Sequence, residues 1–558
     1  MSRILVLGGY GGFGARIARR LAGAGHDVLV AGRSIDKARA FCAGRERLTP
    51  VLVDRTGDLR AALAQLVPHL LVDAAGPFQQ LDYGVPRACV AEGVHYLDIA
   101  DGRDFVAGIA ALDADARAAG VAVISGASSV PALSGAVVRE LAQGMGHVNT
   151  VEMAISASNR ATAGASVAAA ILDYLGQPIR LWRGQCWTTG HGWQEMLRVD
   201  FTVPGVAPLR NRLVGLADVP DLALLPGRIA GRPAVTFRAG TELGFQNIAL
   251  WLVSWAVRWR LLRSASGFGA WLVRGQRLTA RLGSDRSAMR VSLYGMVSDR
   301  RVERRWTLIA ADGDGPEIPA LAVPLLVDRI LSGHAAPGAR DAGECLDLAD
   351  FEPLFAALSI RHEAIELPQP EPLYARVMKA RFHHLPPSLR ALHDVLRDGG
   401  ASGRASVVRG QNILARLVAA LVGFPAAGEH ELHVRFSERE GRETWVRDFS
   451  GKCFRSHMSE ERGLLVERFG LLRFAFDLPS DATGLTMVMR RWSLAGIPLP
   501  ILVAPQSEAR EWEEDGLFHF DVPITLPVVG LIVHYRGWLK PAVMANAGGE
   551  EFVVEPVR

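Results

Sequence analysis

A short apolar run, Ile4-Leu5-Val6-Leu7, leads straight into Gly9-Tyr10-Gly11-Gly12-Phe13-Gly14, and this junction restricts the fold of the chain more than any other. A G-x-G-x-x-G in that position follows a strand and opens a helix. Its glycines allow a tight turn, close backbone approach to a pyrophosphate, and close packing of helix on strand. A phosphate then rests on the helix N-terminus, where unpaired N–H groups and the helix dipole both favour an anion. Phe13, Ile17 and Leu21 recur at i, i+4 and i+8, as a sheet-covering helix requires. Arg16, Arg19 and Arg20 face away from the sheet in this reading, and Gly23 and Gly25 end the helix.

Strand candidates at Ile4 to Leu7, Val28 to Ala31, Val51 to Val53, Leu70 to Val72, Tyr96 to Ile99 and Val121 to Ile124 alternate with amphipathic helices. They predict a Rossmann-type, doubly wound parallel α/β sheet over residues 1–130. A chain of 558 residues exceeds a single core, which stops growing at roughly 250–300 residues, so further domains are expected. Residues 131–365 read as an α+β substrate and dimerisation domain, with a hairpin of Met289 to Val297 and Val302 to Ala310 and a helix from about Ile318 to Leu331. The stretch His362 to Pro372, with Pro368, Pro370 and Pro372, reads as a linker. Residues 373–543 open with helices at Leu373 to Leu396 and Asn412 to Val422. Short strands from His430 to Tyr535 come next and predict an antiparallel-sheet α+β domain.

Hydrophobic residues at 49% and charged residues at 22% exclude a disordered chain. A net charge of +4 over this length gives no footprint for nucleic acid. The cysteines form no C-x-x-C pair, and the leading apolar run is too short for a signal peptide, so the expected setting is cytoplasmic. No metal is expected: in His430-Glu431-Leu432-His433 strand alternation sends the two imidazoles to opposite faces.

The end of the second strand selects the dinucleotide, because NAD recognition wants an Asp or Glu about 20 residues on. Here the chain reads Ala31-Gly32-Arg33-Ser34, with Lys37 one helical turn later. A guanidinium, a hydroxyl and an ammonium suit a 2′-phosphate, which predicts NADP; the competing reading of Arg33 is a solvated surface charge. Asp54 either faces the adenine or caps the next helix. Ala75, Gly76 and Pro77 stand where a nicotinamide ribose passes the sheet edge. Tyr96 and Asp98, two positions apart and on one strand face, are the candidate proton donors. The competing reading is that Asp98 bonds neighbouring backbone and Tyr96 packs.

Together GGYGGFG, Gly-Arg-Ser, DAAGPFQ, HYLDIAD and SGASSVPALSG resemble the NADP-binding domain of the saccharopine dehydrogenase family of oxidoreductases. The resemblance runs through the first 130 residues and more weakly to about 365. Gly423-Phe424-Pro425, Trp445 to Phe449, Glu467 to Gly470 and Tyr535 to Leu539 are similar to DUF4166, a domain of unknown function. The first resemblance implies an NADP-dependent oxidoreductase moving hydride to or from a C=O, C=N or C=C carbon. It leaves open the small-molecule substrate, since the family includes amino-acid enzymes and enoyl reductases of lipid assembly. The second resemblance supplies a boundary and no activity.

Leu243 to Val257 carries no charge over 15 residues, short of the ~20 that span a bilayer. Trp251, Trp255 and Trp259 recur at i, i+4 and i+8, with Arg258, Arg260 and Arg263 nearby and Trp271 beyond. The pattern fits an interfacial helix on a membrane surface, implying a lipid-like substrate, or a core or homodimer-interface helix, which is preferred. The rival to an enzyme is a non-catalytic NADP-binding module or membrane-surface scaffold with a ligand-binding C-terminal domain.

Overall fold

The computed structural model describes residues 2–541, apart from 80, 161–164, 269–273 and 276–277. Trp271 and the last two positions of the 373–543 segment lie outside the described residues.

Six short apolar segments form the first sheet: β1 (Arg3–Leu7), β2 (Asp27–Gly32), β3 (Leu48–Leu52), β4 (Leu70–Asp73), β5 (His95–Asp98) and β6 (Ala122–Ser125). All run parallel in the spatial order 3-2-1-4-5-6, which reverses between β1 and β4 and opens a crevice at their carboxyl ends. A seventh strand arrives from far along the chain. Gly338–Asp341 pairs parallel with β6, and Asp113 accepts a hydrogen bond from the Ala339 N–H at 2.9 Å. No strand is expected there from the sequence pattern, which places residues 338–341 inside the middle segment. The helix α1 (Gly12–Gly23) buries Ile17 and Leu21 against the sheet. Arg16 and Arg20, off the buried face of α1, hold Glu317 at 2.8 and 2.7 Å.

The middle sheet has seven strands, ordered Leu197–Val203, Val206–Leu216, Ala234–Gly240, His147–Ser156, Ser287–Val297, Arg300–Ala310 and Ile360–Pro368. The expected hairpin is its core. The expected linker is mostly its edge strand: Ile360–Pro368 pairs against residues 302–310, and only 369–372 connect to the third domain. Pro368 is tolerated because it closes an edge strand. One apolar core, including Val6, Leu97, Val151 and Trp306, runs between the two sheets. The tryptophan-rich stretch forms a helix, Gly244–Arg258. Leu250 and Val257 on its inner face pack with Leu172, Leu175 and Trp193, while Phe245, Ile248 and Leu252, with Trp259 just past its end, are exposed. Among the described residues no helix is long and apolar enough to cross a membrane.

The third domain departs from an open sheet. Ten antiparallel strands close into a barrel, because Gly484–Leu494 pairs with both Leu472–Asp477 and Ala509–Glu514; an eleventh, Ile497–Leu499, hangs outside the ring. Asp398–Arg409, whose glycines and polar residues hide it from a strand pattern, pairs with both Gly428–Arg439 and Gly530–Pro541. This domain has its own core. It meets the middle sheet through buried polar contacts: Glu152 pairs with Arg397 at 3.0 Å and with Arg439 at 2.8 Å. The Gly184 N–H donates to Asp398 Oδ2 at 2.6 Å, and the Asp398 N–H to Asn149 Oδ1 at 2.9 Å.

Candidate active site

The glycine loop is built as its spacing demands. Gly8 takes a left-handed φ of +70°, and the Gly11 N–H closes the turn on the Gly8 carbonyl at 2.8 Å. A Cβ on Gly14 would lie 2.2 Å from that carbonyl oxygen, and one on Gly9 would lie 2.9 Å from the Val6 oxygen. Only glycine lets α1 start so close to β1. Gly11 is the N-cap of α1 and supplies no capping side chain, and the first turn holds no acidic residue. The first-turn N–H groups therefore remain for a phosphate. Gly11 and Gly12 are exposed, whereas Phe13 packs on the core and supports the loop.

At the end of β2, Tyr10 lies over Gly32, where a Cβ would come 2.4 Å from its Oη, and it accepts a hydrogen bond from the Ser34 N–H at 3.0 Å. Tyr10 thus shapes the turn that presents Arg33. The Ser34 hydroxyl caps the helix α2 (Ile35–Cys42) by accepting from the Lys37 N–H at 3.4 Å. Arg33 and Lys37 are exposed and take part in no salt bridge among the described residues. Asp54 is exposed and accepts from the Thr56 N–H and Oγ1 at 3.0 and 2.9 Å. Those bonds, with help from Arg33, hold its carboxyl below the usual range. The cap of the helix α3 (Leu59–Leu66) is Asp58, which removes the capping role from Asp54.

Beyond β4, buried Asp73 pairs with Arg55 at 3.0 Å and accepts from the Ala75 N–H at 3.0 Å. Arg55 also donates to the Ala75 carbonyl at 3.1 Å, so the Ala75-Gly76-Pro77 loop is held with Gly76 and Pro77 exposed. Tyr96 and Asp98, the candidate proton donors, have the surroundings of the competing reading, with Tyr96 packed and Asp98 bonded to backbone. Both are 0% exposed. Tyr96 lies in the core with Leu71, Ile109 and Leu112, under the segment that leaves β5. Asp98 accepts from the Ala100 N–H at 2.9 Å, Ser125 Oγ at 3.0 Å and the Gly126 N–H at 2.7 Å, tying β5 to β6. Burial pushes its carboxyl up to about 6 against those hydrogen bonds. Strand alternation identifies a shared face but not what covers it.

The carboxylate that reaches the crevice edge lies past the strand. Asp101 accepts from Gln79 Nε2 at 3.1 Å, linking the loops after β4 and β5, and burial raises its pKa. Tyr174, at the end of the helix Ala165–Tyr174, has its pKa raised by burial and by the negative charges of Asp101 and Asp218. Arg103 joins the group by donating to the Arg180 carbonyl at 2.8 Å and to Asp218 Oδ1 at 3.1 Å. Two contacts thus tie these loops together, Gln79 with Asp101 within the first domain and Arg103 with Asp218 between the first and middle domains. Asp101 carried a signal, since it stands just past the strand end in HYLDIAD; nothing in the sequence pairs it with Tyr174.

Residues 4–124 match the family model for the saccharopine dehydrogenase NADP binding domain. The match spans the whole of the first parallel sheet up to β6. The cofactor is NADP and the chain is an oxidoreductase. The residues present fit that cofactor, with a phosphate cradle at α1 and two exposed cations, Arg33 after β2 and Lys37 on α2, that form no salt bridge among the described residues. Residues 385–539 match DUF4166, a domain of unknown function. No curated protein matches the chain. Among solved structures it is similar to apo saccharopine dehydrogenase (L-Glu forming) from Saccharomyces cerevisiae, at 13% identity and a TM-score of 0.46, covering 65% of this chain and 100% of that one. It is also similar to an amine dehydrogenase from Mycobacterium smegmatis, at 12% identity and a TM-score of 0.36, covering 61% and 95%.

Proposed function

We propose that the chain transfers hydride between NADP and a C=O, C=N or C=C carbon of a lipid-like substrate, with Asp101 exchanging the accompanying proton. When bound, NADPH supplies the hydride. The glycine cradle and the α1 N-terminus bind the pyrophosphate, and Arg33 and Lys37 bind the 2′-phosphate. The Ala75-Gly76-Pro77 loop flanks the nicotinamide ribose. Gln79 orients Asp101, whose burial keeps a proton on the carboxyl at higher pH than an exposed aspartate would allow. The observation that carries the reading is the Gln79–Asp101 hydrogen bond, which joins the loops that follow β4 and β5 at the carboxyl ends of the parallel strands. A lipid-like substrate is supported by the helix of Tyr174, which packs on the helix Gly244–Arg258 and so connects the neighbourhood of Asp101 to the exposed Phe245, Ile248 and Leu252.

The test is fluorescence titration with NADPH and NADH, then NADPH oxidation against acyl, enoyl and imino substrates. Turnover with an apolar member of the panel is expected. In Asp101→Asn that turnover falls ~100-fold or more with NADPH affinity unchanged. Unchanged turnover would remove Asp101 from the proton step, and binding without turnover on any substrate would favour a non-catalytic NADP module.

A further inference from the structure

We propose that the lumen of the C-terminal barrel is a second binding site, which takes one long aliphatic chain tail-first and leaves its polar head at the mouth. Small barrels fill their interior with side chains, but a ten-stranded ring is wide enough to hold a cavity. This one holds a cavity of about 150 Å³. The walls are aromatic and aliphatic, with Phe449, Phe469, Phe476, Met487 and Ile524 among them. Such a lining suits an apolar ligand oriented by few polar groups.

The two ends of the barrel differ. One end is shut by the helices Leu373–Met378 and Pro387–His393, where His393 stacks on Tyr374 at 3.7 Å and meets Glu511 at 2.8 Å. The middle sheet is contacted at that end through Arg397, Asp398 and Arg439. The strand registers place the helix Ile413–Val422 and the turns at 450–451, 470–471, 495–496 and 527–529 at the other end. Among the described residues, every exposed large aliphatic side chain of the domain lies at or beside this open end. Leu417, Leu471, Leu502 and Val528 are 63%, 70%, 83% and 106% exposed. Val418 and Val422, on the same helix as Leu417, line the cavity itself. An apolar rim that large on one end of a barrel marks a point of entry for an apolar partner.

The charges inside explain the orientation. Arg447 donates to Ser456 Oγ at 2.9 Å and pairs with Glu467 at 3.3 Å, while Glu511 is held by His393. The cation is therefore already matched, and a second carboxylate faces the lumen. An incoming anionic head would meet no unpaired partner and would be left at the mouth. The site is separate from the nucleotide crevice, and the proposal does not rest on the oxidoreductase reading.

The experiment uses the full chain without NADPH. A dansyl-labelled undecyl chain is titrated in, either from solution or doped into phosphatidylcholine vesicles, and displaced by alcohols from octanol to dodecanol. Saturable binding of one chain is expected, with competition tightening about fourfold per added methylene. Uptake from solution identifies a free chain as the source and uptake from vesicles alone a bilayer lipid; both support the lumen. Met487→Trp, which fills the lumen, should weaken binding more than tenfold while NADPH affinity and the circular dichroism spectrum are retained. Should that variant fail to fold, the exposed pair Leu417→Asp with Leu502→Asp should slow uptake at least tenfold. The proposal is overturned if no chain binds or if both variants bind like the parent. It is also overturned if Phe245→Asp with Trp259→Asp abolishes binding, which would place the probe on the tryptophan helix.

Discussion

Replacing Glu152 by Gln should loosen the joint between the middle sheet and the barrel without touching either core. Glu152 is 9% exposed and faces Arg397 at 3.0 Å and Arg439 at 2.8 Å across the domain boundary. Burial alone would raise its carboxyl, but Arg397, Arg439 and Arg238 outweigh that and hold it at about 2, against an ordinary 4.5. At ~1.4 kcal/mol per pH unit, that fall corresponds to roughly 3 kcal/mol; Arg238 lies in the same sheet as Glu152, so the share from Arg397 and Arg439 across the joint is at most about a hundredfold in the equilibrium between joined and separated domains. Glutamine keeps the acceptor oxygen and loses the charge, so most of this energy should disappear. The assay is native-state hydrogen exchange at the Gly184 and Asp398 amides, which bond across the joint. Corrected for intrinsic rates, exchange there should rise by up to about a hundredfold at pH 7 while amides of the first sheet are unaffected. Because the folded pKa is depressed, the native contribution is full above pH 4.5 and is lost as pH falls toward about 2. The parent protein should therefore show the same loosening over that acid range, and the variant a weaker pH response. A rise under about threefold, or an equal rise in the first sheet, would refute the reasoning.

Two further substitutions address the nucleotide site. Arg33→Asp removes an exposed cation whose charge-assisted bond is worth about 1.5–3 kcal/mol, so NADPH affinity should fall tenfold or more while NADH affinity changes less than threefold; equal losses would contradict the 2′-phosphate assignment. Gly14→Ala sets a Cβ 2.2 Å from the Gly8 oxygen and should push α1 off the loop, costing about 1–3 kcal/mol in stability and more than tenfold in NADPH affinity. Unchanged affinity for NADPH would show that the loop does not hold the pyrophosphate.

The parts of this protein legible in its sequence are those governed by neighbours along the chain. The order strand, glycine turn, helix is written in residues 4–23, and Arg33 in place of an acidic residue points to NADP, because both depend on local backbone geometry and side-chain charge. Tyr96 shows where such reading stops. Its face was deducible from alternation, yet its place under Ile109 and Leu112 depends on how the next segment crosses the sheet. Asp101, by contrast, stands just past a strand end, where open sheets carry their ligands.

Tertiary structure alone decided the rest, and for one reason: pairing between distant strands leaves almost no trace in local periodicity. Gly338–Asp341 shows no strand pattern of its own and pairs only because β6 offers it a partner, and His362 to Pro372 reads as a linker until residues 302–310 pair with its first part. Apolar alternation in the barrel strands told only that one face of each would be covered. It did not say whether that face would meet another layer or, once Asp398–Arg409 joined Gly530–Pro541 and Leu472–Asp477 joined Gly484–Leu494, enclose a lumen.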